Sequence, residues 1–158
     1  MKNIGDEFFV SRKAPLPALP RWRKEMQHKG TRDTKAEMDD LSHEIIGAAI
    51  EVHRALGPGL LESIYEECLA HELTLRRIPF KRQVALPLLY KGVRLESGYR
   101  LDMVVKDLVV LECKAVEHIL PVHEAQLLSY LRLTQKWLGL LLNFHVPVLQ
   151  QGIRRIVN

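Results

Sequence analysis

Leu101-Asp102-Met103-Val104-Val105-Lys106-Asp107-Leu108-Val109-Val110-Leu111-Glu112-Cys113-Lys114 decides how this chain is read. Two β-rich runs flank Lys106-Asp107, a turn signal, so the segment predicts an antiparallel hairpin. Leu108 to Leu111 is apolar on both faces, as a strand covered from both sides must be, and this places the centre of a sheet there. Glu112 and Lys114 then share one face about 7 Å apart, while Cys113 points to the other. An isolated Glu-x-Lys is usually a solvated ion pair at a strand end. The position of Asp102 decides whether more is present. A two-residue loop at 106 and 107 pairs Asp102 with Leu111 and puts the two acids on opposite faces. A three-residue loop at 106 to 108, or a bulge, puts them on one face about 5 Å apart. Carboxylates that close repel unless a cation or proton lies between them, and hard oxygen donors suit Mg²⁺ or Mn²⁺.

The strand pattern continues on both sides of the hairpin. Phe80 to Tyr90 reads as a strand interrupted near Pro87, and Lys91-Gly92 turns the chain into Val93 to Val105. Trp137 to Phe144 reads as a further buried strand and Ile153 to Val157 as a short edge strand. Helical spacing appears at Ile45, Ala49, Val52 and Leu56, stopped by Gly57-Pro58. It returns at Leu61, Ile64, Tyr65, Cys68, Leu69 and Leu73, stopped by Ile78-Pro79. A third helix runs from Pro121 to Leu133, with Pro121 suited to a first turn. The predicted order is ααβββαββ, an α/β fold with a mixed sheet flanked by helices.

Length and composition agree with one such domain. The chain has 158 residues, 47% hydrophobic and 27% charged, enough for a single core and too little for two ordinary domains. Residues 1–40 stand apart, with prolines at 15, 17 and 20, an Arg21-Trp22-Arg23-Lys24 cluster and no apolar period. They are expected to form a flexible extension, with the domain spanning 41–158. The net charge of +4 is compatible with an anionic partner but does not establish one. Cys68 and Cys113 have no zinc-type spacing, which favours a reduced, cytoplasmic setting. No apolar stretch approaches the roughly 18 residues of a membrane span, so no membrane partner is expected. The histidines share no metal spacing. Arg76, Arg77, Lys81 and Arg82, like Arg154 and Arg155, could hold a phosphate backbone, though solvated basic faces are commoner.

Asp102 followed by Glu112-Cys113-Lys114 resembles the PD-(D/E)xK nuclease signature, in which a hairpin presents two metal-binding acids and a lysine. Gly59-Leu60-Leu61-Glu62-Ser63-Ile64-Tyr65 resembles the motif of the GxxExxY protein family, a branch of that superfamily. Gln126-Leu127-Leu128-Ser129-Tyr130-Leu131 and Gly139-Leu140-Leu141-Leu142-Asn143-Phe144 extend the similarity, which covers roughly residues 41 to 157. Leu101 stands where the signature's name has proline, as is common in the superfamily.

The resemblance implies a magnesium- or manganese-dependent nuclease acting on nucleic acid, with DNA the favoured substrate. Asp102, Glu112 and the main-chain carbonyl of Cys113 would hold the ion, and Lys114 would position or deprotonate the attacking water. Glu62 would add a further active-site acid; an early-turn acid complementing a helix dipole is the other use of such a residue. Gln126 and Tyr130, four apart on one helix face, would orient Lys114 or a phosphate and line the substrate groove, with Arg100 as a nucleic-acid contact. Tyr130 reads equally as a core aromatic with its hydroxyl at the rim. The rival to a nuclease is a non-catalytic nucleic-acid-binding or protein-interaction module that keeps the fold. Oligomeric state is not legible.

Overall fold

The computed structural model describes residues 31–96 and 99–158. Two helices, α1 (Thr31–Leu56) and α2 (Glu62–Leu75), precede strands β1 (Phe80–Ala85), β2 (Leu88–Tyr90), β3 (Val93–Leu95), β4 (Arg100–Val105) and β5 (Val109–Lys114). Helix α3 (Pro121–Thr134), β6 (Leu138–Asn143), a 3₁₀ turn at Leu149–Gly152 and β7 (Ile153–Val157) complete the chain. Five strands form a mixed sheet in the order β1-β4-β5-β6-β7, with β5 and β6 parallel and the other pairs antiparallel. The expected α/β class holds, and β5 is the central strand.

The interruption expected near Pro87 separates β1 from β2, and the strand expected over 93–105 is also divided, into β3 and β4. Pro87 cannot donate to a ladder, and the chain leaves the main sheet there, so β2 and β3 pair only with each other around the Lys91-Gly92 turn. Gly92 supplies the positive φ, 81°, that this turn needs. The main-chain amide of Leu86 donates to the Tyr99 carbonyl at 2.9 Å, tying the two ends of the excursion together.

Helix α1 also begins earlier than its apolar pattern suggested. The boundary expected between residues 40 and 41 falls inside it, and Met38 is buried beside Leu41 and Ile45. Ser42 returns its hydroxyl to the Met38 carbonyl at 2.7 Å, as a serine inside a helix does. The Arg21-Trp22-Arg23-Lys24 cluster lies outside the described residues. Three residues assigned to the apolar stripes face solvent: Leu56, Leu61 and Ile64. Leu61 is the residue before the first turn of α2, where its side chain has not yet joined the helix face.

Alternation along the sheet divides the core. Met103, Val105, Val109, Leu111 and Cys113 pack with α1 and α2 on one face, and Val104, Val110 and Leu141 pack with Leu127, Tyr130 and Leu131 of α3 on the other. Covered on both sides, β5 and β6 bury nearly every residue, which accounts for the unbroken apolar runs. At Gly139 an added Cβ would lie 2.9 Å from a Leu127 methyl, so a side chain there would force Leu127 of α3 to shift.

Candidate active site

The loop between β4 and β5 fixes the site. Lys106 and Asp107 both adopt left-handed φ, 47° and 58°, and the Leu108 amide closes the turn onto the Val105 carbonyl at 2.9 Å. Val105 pairs with Val109, Val104 with Val110 and Met103 with Leu111. This is the three-residue loop, and its register carries Asp102 opposite Glu112.

The ladder then opens. The Cys113 amide donates to Asp102 Oδ2 at 2.8 Å, so a side chain takes the place of the main-chain partner on β4. A strand residue directs its N–H and C=O to the same edge, and the Cys113 carbonyl therefore faces the same opening. On the far side of β4, Gln83 lies at the register position of Asp102 with φ 50°, a left-handed residue within a strand. Such a conformation costs on the order of 1–2 kcal/mol and is held by Glu66, whose Oε2 accepts from Gln83 Nε2 at 2.9 Å. Both flanks of β4 are thus irregular at Asp102.

Glu112 is 4% exposed, and its two oxygens have different fates. Oε1 accepts from Lys114 Nζ at 2.7 Å, whereas Oε2 is buried and has no hydrogen-bond partner. A buried, unpaired carboxylate oxygen is costly unless a ligand answers it. Burial and the neighbouring Glu112 charge push the Asp102 carboxyl up to about 7. Burial likewise raises Glu112 above the usual carboxylate range, against the pull of Lys114. For Lys114 burial acts downward, but the Glu112 hydrogen bond and charge, with help from Glu62 and Asp102, leave it above its ordinary value. The lysine is firmly an ammonium between acids that resist ionising together.

Two glutamates reach the cluster from α2. Glu62, in the first turn, stands 3.9 Å from Lys114 Nζ, so the helix-start position and the proximity to the site coexist in one residue. Glu66, one turn later, is buried and ion-paired with Arg82 at 3.1 Å, and its charge bears on both Asp102 and Glu112. It did not figure among the expected site residues, although its i, i+4 spacing from Glu62 was a usable signal.

Tyr65 explains why the chain enters α2 where it does. Its hydroxyl donates to the Gly57 carbonyl at 2.6 Å and accepts the Leu60 amide at 3.1 Å, and its ring stacks on Phe144 at 4.5 Å. The motif tyrosine thereby clamps the Gly57-Pro58-Gly59 loop that delivers Glu62. Tyr65→Phe keeps the stacking and removes both hydrogen bonds. It is expected to lower stability by about 1–3 kcal/mol, readable as a shifted urea midpoint at unchanged slope; an unchanged midpoint would show that the clamp is idle.

On the opposite face, Gln126 Nε2 donates to Tyr130 Oη at 2.6 Å. Among the described residues Gln126 hydrogen-bonds Tyr130, its neighbour four residues on along the same helix face. Tyr130 is buried in the α3 core, and burial, then the Glu112 charge opposed by Gln126, shifts its hydroxyl upward. It is therefore both a core aromatic and a neighbour of the acids. Arg100 is exposed at the start of β4, paired in register with Ala85.

Asn143 was also missed. Its amide spans the Val116 main chain, accepting at 3.0 Å and donating at 2.7 Å, while the Phe144 amide donates to the Lys114 carbonyl at 2.8 Å. Together these bonds hold the chain leaving Lys114. A lone polar residue ending an apolar strand was the only hint. The basic clusters, by contrast, are largely committed locally: Arg76 to Glu72, Arg82 to Glu66, Arg154 to Glu124 and Arg155 to Asp39. His53 is held by the Val146 carbonyl at 2.8 Å.

The donor set fits a hard divalent cation. Asp102 and Glu112 offer carboxylate oxygens, one of them orphaned, and Cys113 offers a carbonyl on the same edge. Among the described residues no group of three His, Cys, Asp or Glu side chains is arranged to hold a metal ion. A family profile described as the PD-(D/E)XK nuclease superfamily matches residues 39–156. The chain belongs to this superfamily. Its nucleases generally use divalent metal ions, in keeping with the oxygen-rich opening at Asp102. No curated protein and no solved structure matches the chain. Among the described residues no helix is long and apolar enough to cross a membrane.

Proposed function

We propose that this protein is a divalent-metal-dependent nuclease of the GxxExxY branch that hydrolyses phosphodiester bonds in nucleic acid, with DNA the favoured substrate and Mg²⁺ or Mn²⁺ the ion. The observation that carries this reading is the orphaned Glu112 Oε2, buried next to an Asp102 whose proton is held up to about 7. Asp102, Glu112 and the Cys113 carbonyl would hold the ion, which supplies an acidified water and neutralises charge on the phosphate. Lys114, hydrogen-bonded to Glu112, would position or deprotonate the attacking water and offset charge on a phosphate oxygen. Glu62 leaves Lys114 a second carboxylate on the solvent side and so fixes the ammonium's direction.

The test incubates the purified protein with single-stranded and duplex DNA and RNA in Mg²⁺, Mn²⁺ or EDTA, beside Lys114→Ala. Cleavage that disappears with EDTA and with the substitution is the expected result. Salt-sensitive binding with no turnover in any metal would put a non-catalytic binding module in its place.

A further inference from the structure

On the α3 side of the sheet lies a cavity of about 260 Å³ that the chemistry above does not use. Leu86, Leu88, Leu133, Tyr99 and Tyr130 form its apolar walls, and Gln126 and Ser129 provide its polar groups. None of these side chains carries a charge. The Tyr99 and Tyr130 rings stand 6.3 Å apart at 60°, two sides of a corner. Tyr130 is buried and fixed by Gln126, whereas Tyr99, also lining the cavity, is 54% exposed. The bond from the Leu86 amide to the Tyr99 carbonyl sets the Tyr99 backbone in place. The Ser129 hydroxyl spends its proton on the Ala125 carbonyl at 2.9 Å, so its oxygen presents acceptor lone pairs.

Tyr130, one wall of the cavity, packs in the same layer as Val110, two residues before Glu112 on β5, and the Glu112 and Lys114 charges act on its hydroxyl. An uncharged, aromatic recess beside a group that grips phosphate suits the other part of a nucleotide. Bases within a duplex are stacked and paired, and their faces are unavailable; an unpaired base offers both a face for a ring and an edge for polar acceptors. We propose that this cavity is a subsite for an unpaired nucleobase, which makes single-stranded nucleic acid the substrate class. This inference rests on the nuclease reading of the adjoining site.

Binding of a short labelled single strand, as DNA and as RNA, is compared with the duplex and with the same strand carrying an abasic site. Ca²⁺ replaces Mg²⁺ so that binding is read without turnover, and cleavage is followed separately in Mn²⁺. Tyr99→Ala is expected to weaken single-strand binding roughly 5- to 150-fold while Tyr99→Phe preserves it. Tyr99→Leu, which keeps an apolar side chain, should behave like Tyr99→Ala. Duplex affinity should be unmoved by all three variants, and the abasic strand should bind the parent protein as weakly as the intact strand binds Tyr99→Ala. Equal or tighter duplex binding, with single-strand affinity unchanged in Tyr99→Ala, overturns the subsite even if cleavage is observed. Tyr99-dependent binding of single strands without cleavage in any metal leaves the subsite standing and overturns the nuclease.

Discussion

Lys114→Ala is expected to slow cleavage by roughly 10²- to 10⁴-fold while divalent-ion binding survives. The geometry adds a second effect. Lys114 Nζ and Glu112 Oε1 form a 2.7 Å pair in which both side chains are largely buried. Removing the lysine strands a buried carboxylate, a loss of about 3–5 kcal/mol in comparable pairs. A cation can answer that carboxylate, so Mn²⁺ should restore much of the lost thermal stability in this variant. Glu112→Gln takes the other route: an amide is a poor ligand for a hard cation, and ion binding itself should fall. Calorimetric titration with Mn²⁺, run beside cleavage assays, separates the two. Were both variants to bind Mn²⁺ and cleave like the parent, the cluster would have no catalytic part.

Asp102→Asn should weaken the pH dependence of the metal-free protein's stability. A carboxyl raised from 3.8 to about 7 keeps its proton in the folded state at pH values where the unfolded chain has lost it. Stability from this group is therefore present at low pH and falls as pH rises through that window. Between pH 5.5 and pH 8 the loss is about 2 kcal/mol. Asparagine has no proton to lose and retains a carbonyl oxygen for the Cys113 amide. In EDTA, the parent's melting temperature should drop between these pH values and the variant's should drop less, leaving the variant the more stable at pH 8. Added Mn²⁺ should raise the parent most at pH 8, where the proton no longer competes, and leave the variant nearly unmoved. Parallel melting curves for the two proteins across this range would refute the assignment.

The contrast between what was and was not legible follows from the range of the interactions. The central strand, the Lys91-Gly92 turn and the shared face of Glu112 and Lys114 are set by neighbours within a few residues, and they appear as expected. Whether Asp102 joined them depended on one residue of loop length, which the left-handed Lys106 and Asp107 decide. The break near Pro87 was legible, but the one between β3 and β4 required knowing that Leu86 and Tyr99, thirteen positions apart in sequence, meet through the main chain. Glu66 went unrecognised because its partners, Arg82 and Gln83, come from a strand beyond the end of its helix. The early start of α1 was hidden because, among the described side chains of its first turns, Met38 alone reaches the core.

Cys113 sits between the two charged residues of the signature, yet its side chain belongs to the other layer of the molecule. Its sulfur is enclosed by the α1–α2 core, and burial drives its thiol well above the ordinary range. Since the thiolate is the form that reacts, this sulfur is a poor target for oxidants and alkylating reagents. Cys68, only partly buried, is the more accessible of the two. Position 113 thus contributes its backbone to one face and a small apolar volume to the other. A replacement there is judged by how it fits the helices, and the redox state of the surroundings has little hold on the chemistry one residue away.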